Sequence, residues 1–217
     1  QSARGPVTAD ASADVFAREI AAVVAELALA GVDPEQPWGV AMPGPFDYRA
    51  GIGRFEGVGK FDSLNGVDVG ALLADGAGIQ QARFLNDAEA FGLGESLIGT
   101  GRDHDPSAYL TLGTGIGSAL LVDGTLVPNT ELGHLPMSGR PAEHLASTAA
   151  REREGLSYVK WAERLTAYYG LLESLLTPDL IVVGGAVSAS ADRFLPHVRT
   201  RAPIVPAALG NDAGVIG

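Results

Sequence analysis

Leu110-Thr111-Leu112-Gly113-Thr114-Gly115-Ile116-Gly117-Ser118 joins two β-like runs, 108–112 and 118–122, through a Gly-Thr-Gly-Ile-Gly turn. With no Cβ in the way, backbone N–H groups in such a turn can converge on one concavity, which suits phosphate oxygens. The threonine adds a hydroxyl that can donate to an anion or help hold a bound metal. The same residues also make a plain β-hairpin whose glycines take positive φ. Taken alone, the turn favours this simpler account, and the segments on either side decide how far to go beyond it.

Upstream, Leu85-Asn86-Asp87-Ala88 stands where a strand gives way to a helix. Ligands of open α/β sheets bind at the carboxyl ends of strands. There Asp87 could take a proton from a substrate hydroxyl and Asn86 could hold a neighbouring one. Asp87 is equally well placed to cap the helix, and one carboxylate can do both. Downstream, Glu131, His134 and Glu143 lie close together in a loop-rich stretch. Two carboxylates and an imidazole can fix several sugar hydroxyls or ligate a metal. They are also compatible with a solvated loop and an acidic first helical turn. Further on, Val182-Val183-Gly184-Gly185 is a second strand-to-glycine transition, either an approach for a nucleotide or an ordinary strand–helix turn.

Composition narrows the class. The chain has 217 residues, 46% hydrophobic and 19% charged, the profile of a globular chain with room for one large domain or two modest ones. A net charge of −11 with no basic run argues against a nucleic-acid surface. The absence of cysteine excludes disulfides and thiolate metal sites, and is compatible with a reducing cytoplasm. No apolar run reaches membrane-spanning length.

The pattern of apolar residues predicts helices over 13–30, 67–74, 88–98, 143–151, 158–176 and 189–198. Ser12 or Asp14 caps the first, and Gly31 and Pro34 stop it. Strands are predicted over 38–42, 83–86, 108–112, 118–122, 125–127, 180–183 and 204–208, with a glycine-rich, partly aromatic loop over 46–65. The polar stretch 100–107 suggests a division into two α/β lobes, 1–104 and 105–217.

Taken in order, these segments resemble the ROK family of sugar kinases and regulators. Pro43-Gly44-Pro45-Phe46-Asp47, Leu85-Asn86-Asp87-Ala88, Leu112-Gly113-Thr114-Gly115-Ile116-Gly117, Glu131-Leu132-Gly133-His134 and Val182-Val183-Gly184-Gly185 match its motifs in sequence and spacing. The resemblance covers essentially the whole chain. Its second half, through Pro128 to His134, Gly139 to Ser147 and Pro203 to Pro206, is most similar to the polyphosphate glucokinase and glucomannokinase branch. Gly59-Lys60-Phe61-Asp62 is more like other members, which leaves ATP and polyphosphate both open as donor.

The resemblance implies a two-lobed actin-like ATPase (ribonuclease H-like) fold and phosphorylation of the 6-hydroxyl of glucose or a related hexose. Asp87 would be the catalytic base, and Asn86, Glu131, His134 and Glu143 would hold other hydroxyls. Gly113, Thr114 and Gly115 would cradle donor phosphates, and Gly184 and Gly185 would approach the far part of the donor. Mg²⁺ would accompany ATP or polyphosphate. The protein would be a cytoplasmic homodimer, with helix 158–176 and its Trp161, Tyr168 and Tyr169 as one possible interface, although such aromatics are more often core. Many members carry a cysteine-rich zinc motif after the histidine. Here residues 135–142 contain no cysteine, so no zinc is expected. The family's first phosphate motif, Asp-x-Gly-Gly-Thr, is missing, and so is the final helix. The natural protein is therefore expected to be longer, or this chain to be inactive. A sugar-responsive transcriptional regulator and a non-catalytic sugar-binding relative are the alternatives.

Overall fold

The Ser12 hydroxyl accepts the Val15 N–H and starts helix α1 (Ala13–Leu29), whose Phe16 and Val24 turn inward. Gly31, with φ of 92°, leads the chain out of it. In this computed structural model, which describes residues 2–33 and 35–217, the predicted stop at Pro34 lies outside the described residues. Strand β1 (Trp38–Met42) follows, then the short hairpin β2 (Phe46–Asp47) and β3 (Ile52–Gly53). Helix α2 (Val69–Ala77) is capped by Asp68, which accepts the Ala71 N–H at 2.9 Å. Strand β4 (Ala82–Asn86) pairs in parallel with β1, setting Met42 opposite Asn86.

These elements form one of two compact units, ending at Asn86. Residues 46–65 are more ordered than a loop. Phe46, Phe55 and Leu64 are buried with Phe16, Met42 and Leu73, and the Phe46 ring lies 5.1 Å from Phe84 and 6.2 Å from Phe55. Aromatic residues in a glycine-rich segment supply this unit with core area that its two-stranded sheet cannot.

The second unit runs from Asp87 to Gly217. It contains α3 (Asp87–Leu97), β5 (Ser107–Leu112), β6 (Ile116–Val122), β7 (Thr125–Val127), and the small hairpin β8 (Pro136–Met137) and β9 (Arg140–Pro141). Then come α4 (Glu143–Ala146), α5 (Thr148–Arg153), α6 (Tyr158–Leu175), β10 (Leu180–Gly184), β11 (Ile204–Pro206) and α7 (Ala213–Ile216). One mixed sheet has the order β11-β10-β5-β6-β7, parallel across β11, β10 and β5 and antiparallel from β5 to β7. Side chains alternate across it. Tyr109, Leu121, Leu180 and Val182 pack with Phe91 of α3 and Ala213 of α7. Leu110, Leu112, Ile181 and Val183 pack on the other face with Trp161, Leu165, Tyr168 and Tyr169 of α6. Both faces are covered, which is why the strands read as unbroken apolar runs.

Three expectations change. Helix α3 packs on β5, β6 and α7, so the units divide at Asn86/Asp87, ahead of the 104/105 division expected from the polar stretch. The predicted helix 143–151 is two short helices. Ser147 is extended (φ −66°, ψ 162°) and its hydroxyl accepts the Ala150 N–H at 3.1 Å, restarting the helix. The predicted helix 189–198 is two 3₁₀ turns, Ala186–Arg193 and Leu195–His197, in a segment where Pro196 has no N–H to donate. Of the two roles open for Trp161, Tyr168 and Tyr169, core or interface, the structure shows core: all three are fully buried within their own unit. Among the described residues no helix is long and apolar enough to cross a membrane.

Candidate active site

The glycine turn sits at the carboxyl end of β5, beside the carboxyl end of its parallel neighbour β10, where Gly184 is in register with Thr111. The turn does close an antiparallel β5–β6 hairpin, but neither Gly113, Gly115 nor Gly117 has left-handed φ, so the glycines are not there to supply it. What they provide is room. A Cβ on Gly115 would stand 2.4 Å from Glu143 Oε2, and one on Gly117 would stand 2.7 Å from the Ala88 Cβ. The second contact puts the start of α3, and with it Asp87, against the strand that leaves the turn. One Asp87 oxygen, Oδ1, accepts the Ala88 N–H at 2.9 Å, and the side chain is exposed.

The turn's inward-facing backbone is fully engaged. The Gly113 N–H donates to the Gly115 carbonyl at 3.0 Å. The Thr148 hydroxyl donates to the Leu112 carbonyl at 3.0 Å, and the Ala149 N–H to the Gly113 carbonyl at 3.1 Å. The Ile116 N–H donates to Glu143 Oε2 at 3.2 Å. Among the described residues, no protein acceptor takes the N–H groups of Thr114 and Gly115. Of the three residues expected to cradle phosphate, two therefore keep donors to offer, and Gly113 and Thr114 are exposed.

Segment 130–134 is tied to the same strand. Ser118 of β6 donates to the Thr130 carbonyl at 2.6 Å and accepts the Leu132 N–H at 3.0 Å. A 3₁₀ turn, Leu132–His134, then brings His134 Nε2 to 3.4 Å from Glu143 Oε1. His144, to which the sequence assigned no role, has its Nε2 4.0 Å from the same oxygen. Glu131 opens the 3₁₀ turn with its side chain exposed. Among the described residues no group of three or more His, Asp or Glu is gathered that could hold a metal, so Glu131, His134 and Glu143 do not form a ligand set.

Two candidates have structural duties. A Cβ on Gly184 would stand 2.2 Å from Phe91 Cζ, so this glycine makes room for a buried ring. Gly185 has φ of 84°, and a Cβ there would stand 2.6 Å from the Leu112 carbonyl oxygen, so it lets the end of β10 lie against the glycine turn. In the first unit, Asn86 is held by Tyr48, which the sequence did not single out. Asn86 Nδ2 donates to the Tyr48 hydroxyl at 2.8 Å, and that hydroxyl donates to the Met42 carbonyl at 3.2 Å. The only hint was its place next to the Pro-Gly-Pro-Phe-Asp motif. Several basic residues of the second unit are already engaged: Arg164 with Glu154 at 2.5 Å, Lys160 with Glu163 at 3.0 Å, and Arg201 with Glu173 at 3.6 Å.

Two glycine turns side by side at strand ends, next to a helix-initiating aspartate, agree with the actin-like ATPase fold that the sequence resemblance implies. Comparisons with known proteins narrow this. The family model described as ROK family matches residues 39–151. A polyphosphate glucokinase of Mycobacterium tuberculosis (strain CDC 1551 / Oshkosh) is 40% identical over 182 residues, covering 83% of this chain and 68% of that protein. The crystal structure of an inorganic polyphosphate/ATP-glucomannokinase from Arthrobacter sp. strain KM superposes with a TM-score of 0.85 at 41% identity, over 94% of this chain and 81% of that one. A ROK family glucokinase from Streptomyces griseus, solved with glucose and AMPPNP, shares the fold with a TM-score of 0.75 at 22% identity, over 94% of this chain and 86% of that one. The chain belongs to the ROK family.

Proposed function

We propose that this chain is a hexose kinase, which moves a phosphoryl group from ATP or polyphosphate to the 6-hydroxyl of glucose or a related hexose. The observation that carries this reading is the contact of Ala88 with Gly117. It keeps an exposed carboxylate, Asp87, next to a turn whose Thr114 and Gly115 N–H groups lack protein acceptors. Similarity to a polyphosphate glucokinase and to a polyphosphate/ATP-glucomannokinase supports both the activity and the choice of donors.

Phosphoryl transfer needs an aligned acceptor oxygen, a fixed phosphate and compensation of charge. Asp87 accepts the proton of the sugar 6-hydroxyl as that oxygen attacks the terminal phosphorus, whose bond to the bridging oxygen breaks and releases ADP or a polyphosphate shorter by one phosphate. Asn86, Glu131, His134 and Glu143 hold the remaining hydroxyls, and the imidazole beside Glu143 gives that pair both donor and acceptor character. The Thr114 and Gly115 N–H groups, with the Thr114 hydroxyl, hold donor oxygens, and Gly185 lets the far part of the donor lie along the end of β10. The oxygen donors near the turn, the Asp87 carboxylate and the Thr114 hydroxyl, suit a hard cation held chiefly through substrate phosphates. Mg²⁺ held there would supply charge neutralisation. A cytoplasmic homodimer accompanies this reading.

The test is a matrix of donors against sugars on the full-length protein, with the Asp87→Asn variant alongside. Wild type is expected to phosphorylate glucose, and Asp87→Asn to lose about 10²–10⁴-fold in kcat while still binding glucose by calorimetry. Near-wild-type turnover by Asp87→Asn would remove the base assignment. Sugar binding by wild type without turnover on any donor would make the protein a binding relative instead.

A further inference from the structure

Glu143 sits between two sets of contacts. Its Oε2 accepts the Ile116 N–H at 3.2 Å, at the exit of the glycine turn. Its Oε1 faces His134 Nε2 at 3.4 Å. Gly115 lies so close that a Cβ there would stand 2.4 Å from Oε2. The grip continues along the chain, because Thr148 and Ala149 hold the Leu112 and Gly113 carbonyls at 3.0 and 3.1 Å. Residues 143–149 thus form a strap that takes three backbone groups of the turn, and Ser147 breaks the helix where the strap bends. Glu143 supplies the strap's only charged contact to the turn among the described residues. A hydrogen bond to a carboxylate is about twice as strong as one between neutral groups.

We propose that Glu143 is the positioning residue of the phosphate turn. By holding the Ile116 N–H it fixes the direction in which the neighbouring Thr114 and Gly115 N–H groups point, and so sets donor affinity even when no sugar is present. This deepens the proposed function and rests on it, since both assign the turn to the donor. Its consequence is a coupling between sites. The carboxylate whose Oε1 and His134 serve the sugar is the one whose Oε2 shapes the donor site. A sugar that reorients the carboxylate therefore alters donor affinity, and the donor alters sugar affinity by the same factor.

The experiment uses the full-length protein and two calorimetric titrations, AMPPNP or tripolyphosphate without sugar and glucose without donor. The variants are Glu143→Gln, Glu143→Ala and Thr148→Val. Glu143→Gln keeps an oxygen for the Ile116 N–H but loses the charge facing His134. It is expected to retain donor affinity within about threefold while glucose affinity falls by about tenfold or more. Glu143→Ala loses both and should weaken the sugar-free donor by about tenfold or more. Thr148→Val removes a strap contact at a residue given no part in sugar binding, and should weaken the donor while leaving glucose unchanged. Should Glu143→Ala not fold, Glu143→Asp is used, one methylene too short to reach Ile116, with the same expected loss. Unchanged sugar-free donor affinity in Glu143→Ala or Glu143→Asp would overturn the proposal and leave Glu143 a sugar contact only. A wild-type protein that binds neither donor nor sugar would instead overturn the functional reading itself, which keeps the two failures apart.

Discussion

At the residue scale, Gly184 and Gly115 lack side chains for reasons that predict different outcomes. Beside Gly184 the obstacle is the Phe91 ring, with Cζ 2.2 Å from where a Cβ would stand. Phe91 is itself buried with Tyr109, Leu180 and Val182, so it has little room to retreat. Overpacking of this kind costs about 1–3 kcal/mol. Gly184→Ala is therefore expected to lower the urea unfolding midpoint by a corresponding amount. Adding Phe91→Leu should return part of that loss, because a smaller side chain clears the Cβ, and a double-mutant cycle measures the coupling. Strictly additive losses would show that the two residues do not meet. Beside Gly115 the obstacle is the end of a flexible carboxylate, which can swing aside at the cost of its bond to Ile116. A side chain there disturbs the turn more than the fold.

At the scale of elements, Glu95 joins parts of the second unit that are far apart in sequence. It is fully buried in α3, and its carboxylate accepts three N–H groups: Thr100 at 2.9 Å, Ala208 at 3.2 Å and Leu209 at 2.7 Å. The end of α3 is thereby fixed to the segment that follows β11. Glu95→Ala would remove the shared acceptor of these three part-buried N–H groups, and a hydrogen bond to a charged group contributes about 1.5–3 kcal/mol. It is expected to destabilise the protein by about 3 kcal/mol or more in denaturant, whereas Glu95→Gln, which keeps one oxygen, should cost distinctly less. Equal losses for the two would mean that shape matters here and the acceptor does not. This carboxylate also marks where sequence stops informing. Strands β5, β6 and β10 were legible because sheets buried on both faces need continuous apolar runs, and α1 because Ser12 and its apolar spacing are local signals. Asp87 and the glycine turn were legible as candidates because strand ends are where α/β sheets place ligands. Glu95 was not, since its partners lie up to 114 residues away. The second task of Glu143 was hidden for the same reason, its Ile116 partner being 27 residues earlier. The break at Ser147 could have been foreseen from the capping tendency of serine, but apolar spacing alone ran the helix through it.

At the scale of the whole molecule, the 26 acidic side chains outnumber the 15 basic ones, and the buried phenols of the second unit would add to that excess if they ionised. Tyr168 and Tyr169 are fully buried, and neither hydroxyl has a hydrogen-bond partner among the described residues. Burial pushes both well above the usual phenol value, for Tyr168 with added repulsion from Tyr169 and Glu143. Burial also raises Tyr109, although its hydroxyl accepts a hydrogen bond from Ser107 at 3.0 Å. The sign of the effect on stability follows from which state holds the proton. Below pH 10, the ordinary value, the phenols are neutral whether the chain is folded or not, and they give no pH dependence. Above it the unfolded chain releases these protons while the folded chain keeps them, so stability falls as pH rises. Each such phenol contributes a slope of up to about 1.4 kcal/mol per pH unit. Tyr169→Phe is expected to make that alkaline slope shallower by one phenol's share in denaturant melts between pH 8 and 11. Near neutral pH it should leave stability unchanged or raise it by about 1 kcal/mol, because the hydroxyl it removes is buried without a partner. An unaltered alkaline slope would mean that Tyr169 reaches solvent or an acceptor in solution. A marked loss of stability at neutral pH would mean that the hydroxyl is bonded there.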